Sequence, residues 1–342
     1  WGTDGAPGTE GLSTRTSSIS QPPLHATMVR WMWMRACRPS ADPSVKTFAQ
    51  KQIRELLPKL LAHHRWWYRA RDPNNTGLVV NIHPWETGMD NSPAWDVPLA
   101  RVPETTRPYT RRDLGHVDAS MRPPKSFYDR VVYLMDFNRA QGFDPQKILA
   151  TCPYQVNDIG IISILQRGSI DLIALCEEFG LKLEASEMAE HVHLTHNSVQ
   201  ALWSSKWQQF VSRDVITREL LEVPTSAGLL GAYAGFGENL APTVKQWLRE
   251  TPFGLPSTRS SFDGFEPLRY WRGPVWQHIN MLISVGLQDQ GHNTEALEIR
   301  SRSEQLFSAS GFHEYYDPLS GQGLGGKSFS WTAATYLHWI AD

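Results

Sequence analysis

A chain of 342 residues with 41% hydrophobic content can bury a sizeable core, and its 33 basic and 35 acidic residues, net charge -2, form no long run of one sign, which argues against nucleic acid or an anionic membrane as partner. Three cysteines, Cys37, Cys152 and Cys176, are too few and too scattered for a disulfide framework or a thiolate metal site, and they point to reduced thiols in a cytoplasmic protein. Apolar runs such as IGIISIL (159 to 165) and MLISVGL (281 to 287) fall short of the roughly 20 residues a membrane span needs, and the opening WGTDGAPGTEG lacks the basic and apolar regions of a signal peptide.

From the N terminus, apolar residues three and four apart predict helices over 21 to 37 and 45 to 71, the second with a kink at Pro58. GLVVNIH (77 to 83) is the stretch that alternates as a strand does. Further helices are predicted over 126 to 142, 156 to 180, 184 to 210, 238 to 250, 274 to 289, 292 to 310 and 328 to 341, the last after a Gly-rich turn. Irregular stretches cover 1 to 20, 72 to 125, 251 to 273 and 311 to 327; loops this long generally do a job, and three of them cluster aromatic and charged residues. No Ser/Gly/Pro-rich linker divides the chain, so the expectation is a single domain over 1 to 342. Paired helices joined alternately by short and long loops suggest hairpins stacked into an all-α toroid.

The chemistry concentrates in the loops. HPWETGMDNSPAWD (83 to 96) holds three carboxylates and two tryptophans in a turn-rich segment. A plain connector needs Gly, Pro, Asn or Asp for its turns but gains nothing from indole rings. Apolar walls around Asp90 would disfavour its charged form and suit it to general acid work, whereas the plain alternative is a turn Asp or a helix N-cap before SPAW. Glu86 and Asp96 compete for the general acid role; otherwise Glu86 supports the loop and Asp96 caps or pairs with an arginine such as Arg101 or Arg107. In GFHEYYDPLSGQGLGGKSFSW (311 to 331) Glu314 sits among His313, Tyr315 and Tyr316, followed by glycines that let backbone pass close to a ligand. Two carboxylates in separate aromatic loops meet the requirement for glycoside cleavage, one protonating the leaving oxygen and the other activating water or attacking carbon. FEPLRYWRGPVWQHIN (265 to 280) breaks at Gly273-Pro274 before a helix, leaving Tyr270, Trp271 and Arg272 at its mouth. RRDLGHVDASMRPPKSFYDR (111 to 130) adds Arg122 and Tyr128; its His116 and Asp118 lack a third ligand at metal spacing, so neither metal nor cofactor is expected. Fourteen tryptophans and ten tyrosines suit a carbohydrate, whose ring faces stack on aromatic platforms.

HPWETGMDNSPAWD, YWRGPVW, HEYYDP with its trailing FSW, and SISQPP near the start together resemble the signature segments of family 63 of the glycoside hydrolases, in the family's order and spanning almost the whole chain. The subgroup most resembled is the mannosylglycerate and glucosylglycerate hydrolases, which also carry a segment like RRDLGHVDASMRP. The resemblance implies an (α/α)6 barrel with inverting chemistry. By position it places the general acid on Asp90 and the general base on Glu314. Substrate contacts fall on Gln21, Tyr270, Trp271 and Arg272, with Trp85 and Asn91 from the acid's own loop. Arg122 and Tyr128 are implied to grip a glycerate carboxylate, a role that arginine's planar fork suits. Family members open with an aromatic-rich helical segment before SISQPP that this sequence lacks, so the expectation is a barrel short of its first helix or helices. The reading is therefore an inverting hydrolase of a small α-glycoside such as glucosylglycerate or mannosylglycerate. An α-glucosidase acting on neutral disaccharides and a catalytically impaired osmolyte-binding barrel are its rivals. A sugar isomerase using His83, His116 and His313 would leave the paired carboxylates unexplained.

Overall fold

In the computed structural model, which describes residues 19–111, 118–237 and 239–341, helices dominate and the strands form short two-stranded pairs. Helix α1 (His25–Ala36) starts after Pro22-Pro23 and leads to α2 (Pro43–Arg71), whose Asp42 cap accepts the Ser44 amide and whose Pro43 occupies the first turn. Helix α2 runs unbroken through Pro58 and buries Ile53, Leu57, Leu60, Leu61 and His64 on one stripe. After a long irregular stretch come α3 (Asp96–Ala100), α4 (Lys125–Ala140) and α5 (Pro145–Thr151). Strand β1 (Val156–Asn157) precedes α6 (Ile159–Glu178), which Asp158 caps through the Gly160 and Ile161 amides. Helix α7 (Lys182–Ser198) is followed by β2 (Trp203–Ser204), β3 (Gln209–Phe210) and β4 (Arg213–Asp214). Then come α8 (Ser226–Leu229), α9 (Gly231–Ala234), α10 (Ala241–Glu250), α11 (Gln277–Asp289) and α12 (Asn293–Ser310). The chain closes with β5 (His313–Tyr316), β6 (Gly323–Lys327) and α13 (Ser330–Trp339).

Their packing gives the toroid. Helices α1, α6, α9, α11 and α13 touch in that order, while α2, α7 and α12 lie against α1, α6 and α11 respectively. Trp31 of α1 stacks on His338 of α13 with ring centroids 4.6 Å apart, bringing the two ends of this inner series together. Close approach requires small residues: a Cβ on Gly286 of α11 would lie 2.3 Å from the Tyr233 amide nitrogen of α9. Helix α6 is long and apolar enough to cross a bilayer, which the short apolar run noted in the sequence did not suggest; here most of it is buried as a core helix against α1, α2, α7 and α9.

Several sequence expectations change. The stretch 77 to 83 forms no strand beyond one bridge from Asn81 to Val156. The helix expected over 184 to 210 stops at Ser198, because Trp203 pairs with Phe210 and Ser204 with Gln209 in a hairpin whose turn puts Gln208 at φ 54°. The Gly-rich run after Glu314 is not a turn but strand β6, paired with β5 across an irregularity between His313 and Tyr315. Helix α5 escaped prediction although Asp144 and Pro145 mark its start, since seven residues show little periodicity.

Candidate active site

Four segments distant in sequence meet between the long loops. The Asp90 loop is fixed from below. Glu86, 1% exposed, pairs with the buried Arg71 of α2 and accepts from the Ile82 amide (2.9 Å) and the Ser20 hydroxyl (2.9 Å). Gly88 turns at φ 72° beside Pro22. The Trp95 indole donates to the Met89 carbonyl at 2.8 Å, and the Ser92 amide to the same carbonyl at 3.1 Å. Ser92, rather than Asp90, caps the following turn through the Ala94 amide. Asp90 is thereby presented without a capping duty.

Asn91 ties this loop to the one before α11: its Oδ1 accepts the Trp271 amide at 3.0 Å. Arg272 completes the tie with two bonds of 2.9 Å to the Asp96 carboxylate and one of 2.6 Å to Glu266. Asp96 therefore pairs with Arg272 rather than with Arg101, which reaches Asp214, or Arg107, which reaches Asp136. Trp271, 2% exposed, stacks on Trp276 at 3.9 Å with its face covered. So Asn91, Trp271 and Arg272, expected at the substrate, brace the two loops. What they position is Tyr270, held at φ 42°, a left-handed conformation that costs a bulky residue energy and persists only where its surroundings fix it.

Glu314, 8% exposed, comes from β5. Its Oε2 accepts the Gly326 amide at 3.0 Å and an Arg122 Nη2 donor at 3.2 Å. Gly325, at φ 68°, has no room for a side chain, since a Cβ there would sit 2.5 Å from that same oxygen. The backbone of β6 thus closely approaches the carboxylate. Arg122 also lies over the Tyr270 ring, 4.6 Å from its centroid. The loop carrying Arg122 is pinned where Arg269 donates to the Ser120 carbonyl at 3.2 Å.

Asp90, Arg122, Tyr270 and Glu314 form one electrostatic unit. Burial pushes the Asp90 carboxyl up to about 7, with the Glu314 charge adding to the rise and Arg122 and a Tyr270 hydrogen bond opposing it. The Asp90 carboxyl is buried, although the residue as a whole is only half-buried. Tyr128 of α4, with Arg111 over its ring at 3.9 Å, is near enough to act on Tyr270 and packs edge-on to Trp85 at 6.2 Å. Gln21 is exposed and donates to the Trp85 carbonyl at 3.0 Å. Gln21, Trp85 and Tyr128 therefore form a second group beside the first.

Of the histidines invoked for an isomerase, His83 does other work. His83 spends both ring nitrogens on the Val131 carbonyl and the Trp85 amide, and burial pushes it down to about 4. His116 lies outside the described residues, and Asp118 caps Ser120. Among the described residues no three His, Cys, Asp or Glu side chains are placed to hold a metal. A cleft of about 490 Å³ lined by Arg65, Tyr68 and His191 contains neither Asp90 nor Glu314. Sequence reasoning missed Arg71, and it read the glycines after Glu314 as room for a ligand without showing that Gly325 and Gly326 meet the Glu314 carboxylate.

Residues 4–332 match the family described as the mannosylglycerate hydrolase MGH1-like glycoside hydrolase domain. The chain is 43% identical to a mannosylglycerate hydrolase of Thermus thermophilus, over 95% of this chain and 77% of that protein. It is 43% identical to the mannosylglycerate hydrolase MGH1 of Selaginella moellendorffii, over 95% of this chain but 66% of the plant protein, so it spans just under two thirds of that relative. A crystal structure of a family 63 mannosylglycerate hydrolase from Thermus thermophilus, in complex with Tris and D-glycerate, superposes with a TM-score of 0.87 at 42% identity, covering 95% of this chain and 79% of that one.

The geometry of the site makes two outcomes measurable. Removing the Glu86 carboxylate by Glu86→Ala leaves Arg71 buried without its counter-charge and should lower unfolding stability by about 3 to 5 kcal/mol in denaturant titration; a loss within about 0.5 kcal/mol would contradict the anchoring role. Asp90 has a folded value above its ordinary 3.8, so the folded state binds the proton more tightly, and the stability this brings is complete below about pH 4 and lost as pH rises through about 7. Asp90→Asn should therefore melt higher than the parent above pH 7 and flatten the decline of Tm between mildly acidic and alkaline buffers; parallel melting curves across that range would refute it.

Proposed function

We propose, since the chain belongs to the mannosylglycerate hydrolase MGH1-like glycoside hydrolases, that it hydrolyses the glycosidic bond of mannosylglycerate with inversion at the anomeric carbon, Asp90 acting as general acid and Glu314 as general base. The observation that carries this reading is the asymmetry of the two carboxyl groups. Burial holds Asp90 as an acid near neutral pH, while Glu314 accepts hydrogen bonds from the Arg122 guanidinium and the Gly326 amide. Asp90 gives its proton to the glycosidic oxygen as the bond from that oxygen to the anomeric carbon breaks. A water molecule on the opposite ring face forms the new carbon–oxygen bond and passes its proton to Glu314. Exchange with solvent returns both groups to their starting states.

The aglycone side of this reading rests on Arg122, Tyr128 and Tyr270, which together offer a cation, two phenols and aromatic faces beside Asp90. Gln21 and Trp85 would line the approach, and Asn91, Trp271 and Arg272 would act by fixing the loops. Mannose is preferred over glucose because the bacterial and plant relatives at 43% identity are both mannosylglycerate hydrolases. The four central residues come from segments spread along the chain, so residues 1 to 342 are read as one catalytic unit.

Proton NMR of the first-formed sugar tests the stereochemistry: α-linked substrate should give β-mannose first, and α-mannose as first product would contradict inversion. Asp90→Asn and Glu314→Gln should each lower kcat by several orders of magnitude with the fold intact. Near-parental turnover in either variant would remove that residue from its role.

A further inference from the structure

Arg122 is shared between the two carboxyl groups. Its Nη2 donates to Glu314, its charge acts on Asp90, and its ring-facing side rests on Tyr270, the residue that donates a hydrogen bond to Asp90. Its Nε is buried and has no hydrogen-bond partner among the described residues, so the guanidinium is not fully committed to the contacts it makes. Arg272 makes the contrast: its fork is taken up by Asp96 and Glu266. The charged and titratable groups that act on Asp90 are Arg122 from the loop before α4, Glu314 from β5, and Tyr270 from the loop before α11.

Resting on the reading of Asp90 as general acid and of Arg122 as the aglycone's cation, we infer that Arg122 is a counter-charge the substrate competes for. A carboxylate on the aglycone draws the guanidinium from Asp90 and Glu314 and so helps keep the acid protonated, whereas a neutral glycoside does not. The physical basis is electrostatic. A cation near a carboxyl favours its ionised form, and a second anion paired with that cation cancels much of the effect. An ionised aglycone would thus be selected twice, once by pairing with Arg122 and again by strengthening the acid that cleaves its bond. The specificity arises in part after binding, in the chemical step.

The test compares mannosylglycerate with its neutral amide. The alkaline limb of kcat/KM reports the free enzyme and that of kcat the substrate complex. With mannosylglycerate the kcat limb should lie about one pH unit or more above the kcat/KM limb, and this offset should exceed the offset seen with the amide. In Arg122→Gln the kcat/KM limb should itself move to higher pH and the difference between the two substrates should vanish, while Arg122→Lys should keep part of it. Equal offsets for the two substrates in the parent enzyme, or a difference that survives in Arg122→Gln, would overturn the inference and leave the hydrolase reading standing. Failure of the enzyme to cleave either glycoside, or full activity in Asp90→Asn, would instead bring down the parent reading and this inference with it.

Discussion

Two carboxyl groups brought into one poorly solvated site repel each other when both are charged, and the arrangement holds only if a proton or a cation intervenes. Here both devices are present. Burial and the neighbouring Glu314 charge favour a proton on Asp90, while Arg122 reaches Glu314 and moderates the rise at Asp90. An acid at neutral pH beside a paired base is the division of labour that glycoside hydrolysis requires. The unit depends on position to within about an ångström, because the hydrogen bonds that distinguish the two groups are lost over that scale.

Much of the surrounding structure serves that positioning. The inner helices bring their connecting loops to one place, and the loops are then fixed by buried polar contacts rather than by regular structure. Glu86 and Arg71 anchor the Asp90 loop to α2, Asn91 and Arg272 join it to the loop of Tyr270, and β6 closes on Glu314 through glycines. The left-handed backbone at Tyr270 is strain stored beside the two carboxyl groups, and the Trp271 and Trp276 stack next to it supplies packing that can offset such a cost. Trp271 contributes to the site from beneath.

The sequence made the ingredients legible and much of their assembly illegible. Asp90 and Glu314 stood out because each is a carboxylate amid aromatics in a loop that needs neither; periodicity gave a mostly helical chain, the alternating loops suggested a toroid, and the (α/α)6 barrel came from the resemblance to family 63. Glu86 as a loop support was among the readings the sequence allowed. Partners across long sequence gaps were not. Arg122 reaches Glu314 over 192 positions, and Asp96 meets Arg272 rather than the nearer Arg101 or Arg107. Local pattern carries no record of which loop faces which. Strand β6 was invisible for a different reason: Gly323, Gly325 and Gly326 have no β-propensity, and their value lies in the side chain they leave out.

The account stands on the protonation of one carboxyl group, which can be observed without substrate. Infrared difference spectroscopy between the parent protein and Asp90→Asn, taken across pH, isolates the carbonyl band of that protonated side chain. A band present at pH 5, lost with a midpoint near pH 7 and absent from the variant is the expected result. A midpoint near the ordinary 3.8 of an aspartate would show that the site does not hold its acid in reserve, and would contradict the division of roles between Asp90 and Glu314.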